Sequence, residues 1–322
     1  MRSPLSQVYK VIQDAVLDTD DMLATNKIIS SQSHVEPAYT ASQFIPSPIA
    51  AYIGDTRNTS VSLDLPLGNV TVKLSMYGFN MSETDLQERV SFAAAAVIAV
   101  RNLSRRTPLR SLTINVFLTP FRKEATLASP LTPENVNSGY CTLGVYDREI
   151  VVFRKEEWFK VLLHELLHCF DVGPSKTQQV QFQTYMLRTY QLREVSLDEG
   201  YIEFLARVLN CMFSALYDDD PERVLEAEAD YGRVRALLIT KSGTNALLNG
   251  TNSFSYYVLA YLLFSHCDEV LSLAKPGINY RPKVSSYLKA LLGSWTAGLA
   301  HAARRRRVPK ITMRMTSSRC IE

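Results

Sequence analysis

His164 and His168 stand four residues apart in Val161-Leu-Leu-His164-Glu165-Leu-Leu-His168-Cys-Phe170, a run whose only acid is Glu165. Side chains at i and i+4 share one helix face, so both imidazoles present a nitrogen donor to a single cation. Glu165 follows His164 directly. Its carboxylate therefore reaches a water held by that cation rather than the cation itself. An acid in so apolar a stretch is costly to bury without a partner, and a divalent ion with its water supplies one. The competing reading is two partly exposed histidines on an amphipathic helix, and the uncharged flanks weigh against it.

The spacing predicts a helix with Glu156 and Glu157 in its first turn, where they complement the dipole, and a stop at Gly173-Pro174. Two histidines on Zn²⁺ call for a third protein ligand, with the fourth position left to water. Downstream runs Leu197-Asp198-Glu199-Gly200-Tyr201-Ile202-Glu203-Phe204, a second helical segment rich in acids.

These two segments together resemble the zincin metallopeptidases, specifically the gluzincin branch, over roughly residues 69–204. The resemblance implies a Zn²⁺ cofactor with His164, His168 and Glu199 as ligands and Glu165 as general base. It further implies hydrolysis of peptide bonds by a water that Glu165 deprotonates, with the proton passed on to the leaving amine. Gluzincins generally add a Tyr or His donor for the developing oxyanion. Here Tyr256 and Tyr257 lead, in Ser253-Phe-Ser-Tyr-Tyr-Val-Leu-Ala-Tyr261, with His266 and Tyr201 behind them. The segment Ile150-Val-Val-Phe-Arg-Lys-Glu-Glu-Trp-Phe-Lys160 and the closing Met313-Arg-Met-Thr316 also resemble metallopeptidases of large DNA viruses and algae.

Glu203 lies one turn after Glu199 and projects from the same face, where a carboxylate can accept the free N–H of a ligand histidine. The alternative is an exposed acid paired with Arg207 at i+4. Asp198 reads as a helix cap or first-turn acid. Asp171, one turn after His168, reads either as a rival third ligand or as the residue that ends the helix. No third histidine follows in the manner of metzincins.

The fold class expected is α+β and zincin-like: a mixed β-sheet upper lobe with backing and active-site helices, then a helical lower lobe. A helix is expected over Ser6–Ile29 and a linker to about residue 59. Strands follow at Val61–Leu65 and Val70–Tyr77. Ser82 caps a helix to Leu103, and the next strand is Leu112–Leu118. A hairpin, Tyr140–Val145 with Ile150–Phe153, is expected to turn at Asp147-Arg148. In such an architecture the edge strand beside the active helix holds an extended peptide. Gly139 and Tyr140 are the residues for that contact, with an ordinary loop-to-strand turn as the alternative. Helices are then expected at Thr177–Leu192, Leu197–Tyr217, Asp220–Leu238, Tyr256–Ala274 and Lys283–Ala303. The segments are thus 1–59, 60–173, 174–303 and a basic tail, 304–322.

Of 35 Lys/Arg and 32 Asp/Glu in the 322 residues, seven and one lie from residue 304 onward, leaving a body of 28 against 31. The tail, centred on Arg304–Arg307, fits contact with nucleic acid or an anionic surface, or a solvated helix end. No apolar run reaches the length of a transmembrane segment, and the N terminus lacks the apolar core of a signal peptide. The five scattered cysteines suit reduced thiols, and with no signal the Asn-x-Ser/Thr sites at Asn58, Asn69, Asn80, Asn102 and Asn249 carry no weight. An intracellular enzyme, cytoplasmic or nuclear, is expected. The first alternative is a zinc hydrolase of a non-peptide amide. The second is a virion or nucleic-acid-associated protein with a structural zinc site, which would have no use for Glu165.

Overall fold

Alternating apolar and polar residues in Val70-Thr-Val-Lys-Leu-Ser-Met-Tyr put every second side chain into a core, as a strand with one covered face requires. A computed structural model describes residues 3–33, 42–104, 108–125, 132, 137–193, 195–218, 220–241, 252–274, 277–300 and 311–312. The architecture is α+β. The chain divides into two compact units, one of Tyr9–Arg122, Asn137–Phe170 and Arg319–Glu322, the other of Met1–Val8, Lys123–Val136 and Asp171–Ser318.

The first unit is built on a mixed sheet of β1 (Ile29–Ser33), β2 (Asn58–Leu67), β3 (Val70–Gly78), β4 (Ser111–Leu118), β6 (Gly139–Leu143) and β7 (Asp147–Val152). Their spatial order is β1-β2-β3-β4-β7-β6, with β3–β4 and β4–β7 parallel and the other pairs antiparallel. Gly68, at φ +64°, takes the first corner of the two-residue β2–β3 loop. Helix α3 (Glu83–Leu103) is capped by Ser82, whose Oγ accepts the Asp85 N–H at 3.1 Å. Its Ala93–Ala96 run is buried in full, and small side chains there let the helix lie close to its neighbours. Helix α4 (Trp158–Cys169), which carries both histidines, packs against α3, β6 and β7.

Three expectations are corrected in this unit. Residues 30–59, expected as linker, carry β1, α2 (Ser47–Asp55) and the start of β2. The Ile-Ser-Ser-Gln-Ser of β1 has no apolar alternation, and the strand rests on its backbone ladder to β2 and on Ser31 Oγ–Ser60 Oγ at 2.8 Å. Pro46 and Pro48 begin α2 rather than break the chain, since proline suits a first helical turn, and Ile49, Ala50 and Ile53 are buried by it. The hairpin turns at residues 144–146, not at Asp147-Arg148. Leu143 pairs with Arg148, and a Cβ on Gly144 would lie 2.2 Å from the Asp147 carbonyl oxygen, room that only glycine leaves. Finally, α4 begins two residues later than expected, after Glu157 at φ +61°. It ends at Cys169, with Asp171 at φ +52° just beyond.

The second unit is helical: α5 (Lys176–Tyr190), α6 (Leu197–Asp218), α7 (Pro221–Lys241), α8 (Ala260–Phe264), α9 (Cys267–Ala274) and α10 (Pro282–Ala300), with a two-stranded β5 (Glu124–Ala125)–β8 (Ile311–Thr312) ladder. The N-terminal helix α1 (Pro4–Thr25) has its first turn here and the rest in the sheet unit. Ser175 and Gln178 form a reciprocal capping box on α5. The single helix expected over Tyr256–Ala274 is a π-turn, Ser255–Leu259, followed by α8 and α9. No single helix among the described residues is long and apolar enough to cross a membrane.

Candidate metal centre

Helix α4 sets the first two donors. The Nε2 atoms of His164 and His168 are 3.2 Å apart, close to the edge of a coordination tetrahedron with bonds of about 2.0–2.1 Å. His164 and Glu165 are buried, and His168 is half-buried. At the C-terminal end of the helix the buried Arg148 guanidinium donates to the Cys169 carbonyl and, through Nε, to the Gly144 carbonyl at 2.9 Å. A cation there satisfies an orphan acceptor and opposes the negative end of the dipole, fixing the helix beside His168.

Strand β6 lies over the Glu165 side of α4. A Cβ on Gly139 would sit 2.8 Å from Val161 Cγ1, 3.0 Å from the Val151 carbonyl oxygen and 3.5 Å from Glu165 Oε1. Glycine thus lets the strand close on the helix. Tyr140 points the other way, its ring 4.9 Å from that of Phe44 and its hydroxyl 3.2 Å from Ser42 Oγ; burial holds its pKa above the ordinary tyrosine value. Cys141 returns to the α4 side, where its thiol borders Cys169 and Glu165. The Cys169 contact, burial and the Glu165 charge together push its pKa well above the usual thiol range.

Glu199 sits in the first turn of α6. The cap is Ser196, whose Oγ accepts the Glu199 N–H at 3.1 Å; Asp198 is a first-turn acid whose N–H goes to Gln179 Oε1 at 3.0 Å. A Cβ on Gly173 would lie 1.8 Å from Asp198 Oδ1, so this glycine serves close packing on α6 and does not end α4. Gly200 does the same for the π-turn, with Leu259 Cβ 2.9 Å from where its own Cβ would be.

One ligand atom from each of His164, His168 and Glu199 lies within 4.8 Å of the other two, and the three make a candidate metal site. Two imidazoles and a carboxylate are the donor set of a borderline cation with an open position.

Glu203 is fully buried. Arg207, one turn on, donates from Nε to Glu228 Oε1 at 2.6 Å. Burial works against the Arg207 charge, yet the Glu228 and Glu203 carboxylates hold its pKa above the ordinary arginine value. Tyr201 donates its hydroxyl to the Ile278 carbonyl at 2.8 Å, and His266 Nδ1 lies 3.2 Å from the Tyr287 hydroxyl. Tyr257 is buried, whereas Tyr256, beside it in the π-turn, is half-buried. The Arg304–Arg307 tail lies outside the described residues, as do Asn249 and Met313–Thr316.

Sequence reasoning missed Arg148, Cys141, Ser196 and Ser255. Cys141 alone carried a local signal, since residues 139 and 141 share a strand face.

No family model matches the chain, and no curated protein matches it. Among solved structures the chain is similar to the aminopeptidase N family protein from Idiomarina loihiensis, at 13% identity and a TM-score of 0.35. The match covers 85% of this chain and 48% of the other, so the chain spans about half the length of that protein.

Proposed function

We propose that the protein is a zinc-dependent peptidase in which His164, His168 and Glu199 hold Zn²⁺ and Glu165 is the general base. The observation that carries this reading is the meeting of one donor atom from each of the three within 4.8 Å, with Glu165 next in the chain to one of them. When bound, the cation supplies Lewis acidity and brings the pKa of a water toward neutrality.

Glu165 removes a proton from the attacking water and gives it to the departing amine. Its burial keeps bulk water from competing for that proton. Among the described residues edge strand β6 pairs with β7 alone, and its other backbone edge suits an extended peptide lying along it. Tyr256 is the tyrosine whose accessibility and place in a π-turn suit a hydroxyl donor to the developing oxyanion, π-turns being frequent at functional sites.

The test pairs metal analysis with digestion of casein, with and without a chelator. Glu165→Gln should keep zinc and lose cleavage, while His164→Ala should lose both. A Glu165→Gln protein that still cleaves casein overturns the proposal.

A further inference from the structure

A peptide paired along the outer edge of β6 alternates its side chains between the two faces of the sheet, in step with β6 itself. The substrate residue opposite Gly139 falls on the α4 face, where a Cβ on Gly139 would be 3.5 Å from Glu165 Oε1. The bond cleaved is therefore one that flanks this residue. Its chain neighbour falls opposite Tyr140, on the other face. There the Tyr140 ring, half-buried, meets the ring of Phe44 at 4.9 Å between centroids and 39° between planes. Phe44 is 55% exposed. One hydroxyl ties the two residues together: Ser42 Oγ donates to the Tyr140 hydroxyl at 3.2 Å and accepts the Phe44 N–H at 3.3 Å. Tyr140 also packs on the core cluster that contains Ile45, Ile49, Val151 and Phe153.

We infer that Phe44 and Tyr140 form a side-chain subsite that selects peptides with an aromatic or large aliphatic residue within two positions of the scissile bond. The inference rests on the reading of β6 as the strand that holds substrate and of Glu165 as general base. An exposed phenylalanine beside a second ring gains by being covered, and the ring geometry rewards an aromatic partner further. Ser42 and the core hold both rings in place beforehand, so little ordering cost is left to the moment of binding. Main-chain pairing along β6 accepts any sequence, and alternate side chains bring the selectivity.

The experiment uses the full-length, zinc-loaded protein on a mixed-sequence peptide library, with a chelator control and the products sequenced by mass spectrometry. Phe, Tyr, Leu and Met should be enriched at one position within two residues of the cut. Two peptides that differ only there, Phe against Ala, then give the preference as a ratio of kcat/KM. Phe44→Ala should lower that ratio about tenfold, chiefly through KM, and keep its zinc. Phe44→Glu should exchange the preference for Lys or Arg, a gain that misfolding cannot produce. A library profile without that enrichment overturns the inference, and so does a Phe44→Ala ratio within twofold of the original. A protein with no chelator-sensitive cleavage of the library overturns the peptidase reading instead, and the subsite with it.

Discussion

Ser255 Oγ accepts the backbone N–H of Ser196 at 2.9 Å, and Ser196 Oγ accepts that of Glu199 at 3.1 Å. A buried hydroxyl in the π-turn thereby fixes the first turn of the helix that carries the third donor. Ser255→Ala should leave the Ser196 N–H unsatisfied, costing about 1–2 kcal/mol. It should also weaken zinc binding by roughly 10-fold, as loss of a group that orients a ligand does. Thermal melts of the metal-free protein and zinc titration against a competing chelator separate the two effects; unchanged zinc affinity would remove Ser255 from the centre.

Gly139→Ala should destabilise the sheet unit by about 1–3 kcal/mol through overpacking, since its Cβ would fall 2.8 Å from Val161 Cγ1. Val161→Ala removes that methyl, so the double variant should be more stable than the sum of the single changes predicts. A double-mutant cycle by denaturant unfolding measures the coupling, and strict additivity would argue that β6 simply shifts away.

The Arg207–Glu228 pair is a buried charge contact in the helical unit, with side chains 2% and 0% exposed. Gly232, one turn after Glu228, leaves the guanidinium its place: a Cβ there would lie 2.4 Å from Arg207 Nη2. Glu228→Gln should cost about 3 kcal/mol, the low end for breaking such a pair because Glu203 stays beside the cation. Replacing both partners by Met and Leu should cost less than Glu228→Gln alone, as urea unfolding of the variants will report.

Burial pushes the Tyr280 hydroxyl up to about 12, while in the unfolded chain it titrates near 10. The folded pKa is the higher one, so the neutral phenol's stabilising contribution is complete below about pH 10 and is lost as pH rises toward 12. At pH 11 this amounts to on the order of 1 kcal/mol, after allowance for partial solvent access. Tyr280→Phe should therefore lose less stability than the original chain between pH 9 and pH 11. Equal losses would show that other tyrosines govern alkaline unfolding.

The legible parts of this chain were those written in local periodicity. Strands β2 and β3 announce themselves by buried alternation, β4 and β7 by short apolar runs, and α3 by a capping Ser82 and an alanine-rich centre. The i, i+4 histidines identify α4, and the acid-glycine-aromatic segment identifies Glu199. Strand β1 was hidden because Ile-Ser-Ser-Gln-Ser makes no apolar face and depends on a partner strand far along the chain. Helix α2 was hidden because a proline at a helix start and a proline in a loop look alike. The Arg207–Glu228 contact joins positions 21 residues apart, and the Ser255–Ser196 bond positions 59 apart. No window of sequence contains either.

A π-turn is an α-helix holding one surplus residue. Deleting a single residue from positions 257–259 would let the coil heal into an ordinary helix and swing the side chains ahead of the cut by about 100°. Tyr256 would then face elsewhere, though its neighbours kept their identities. What a lineage must preserve at this place is a count as much as an alphabet.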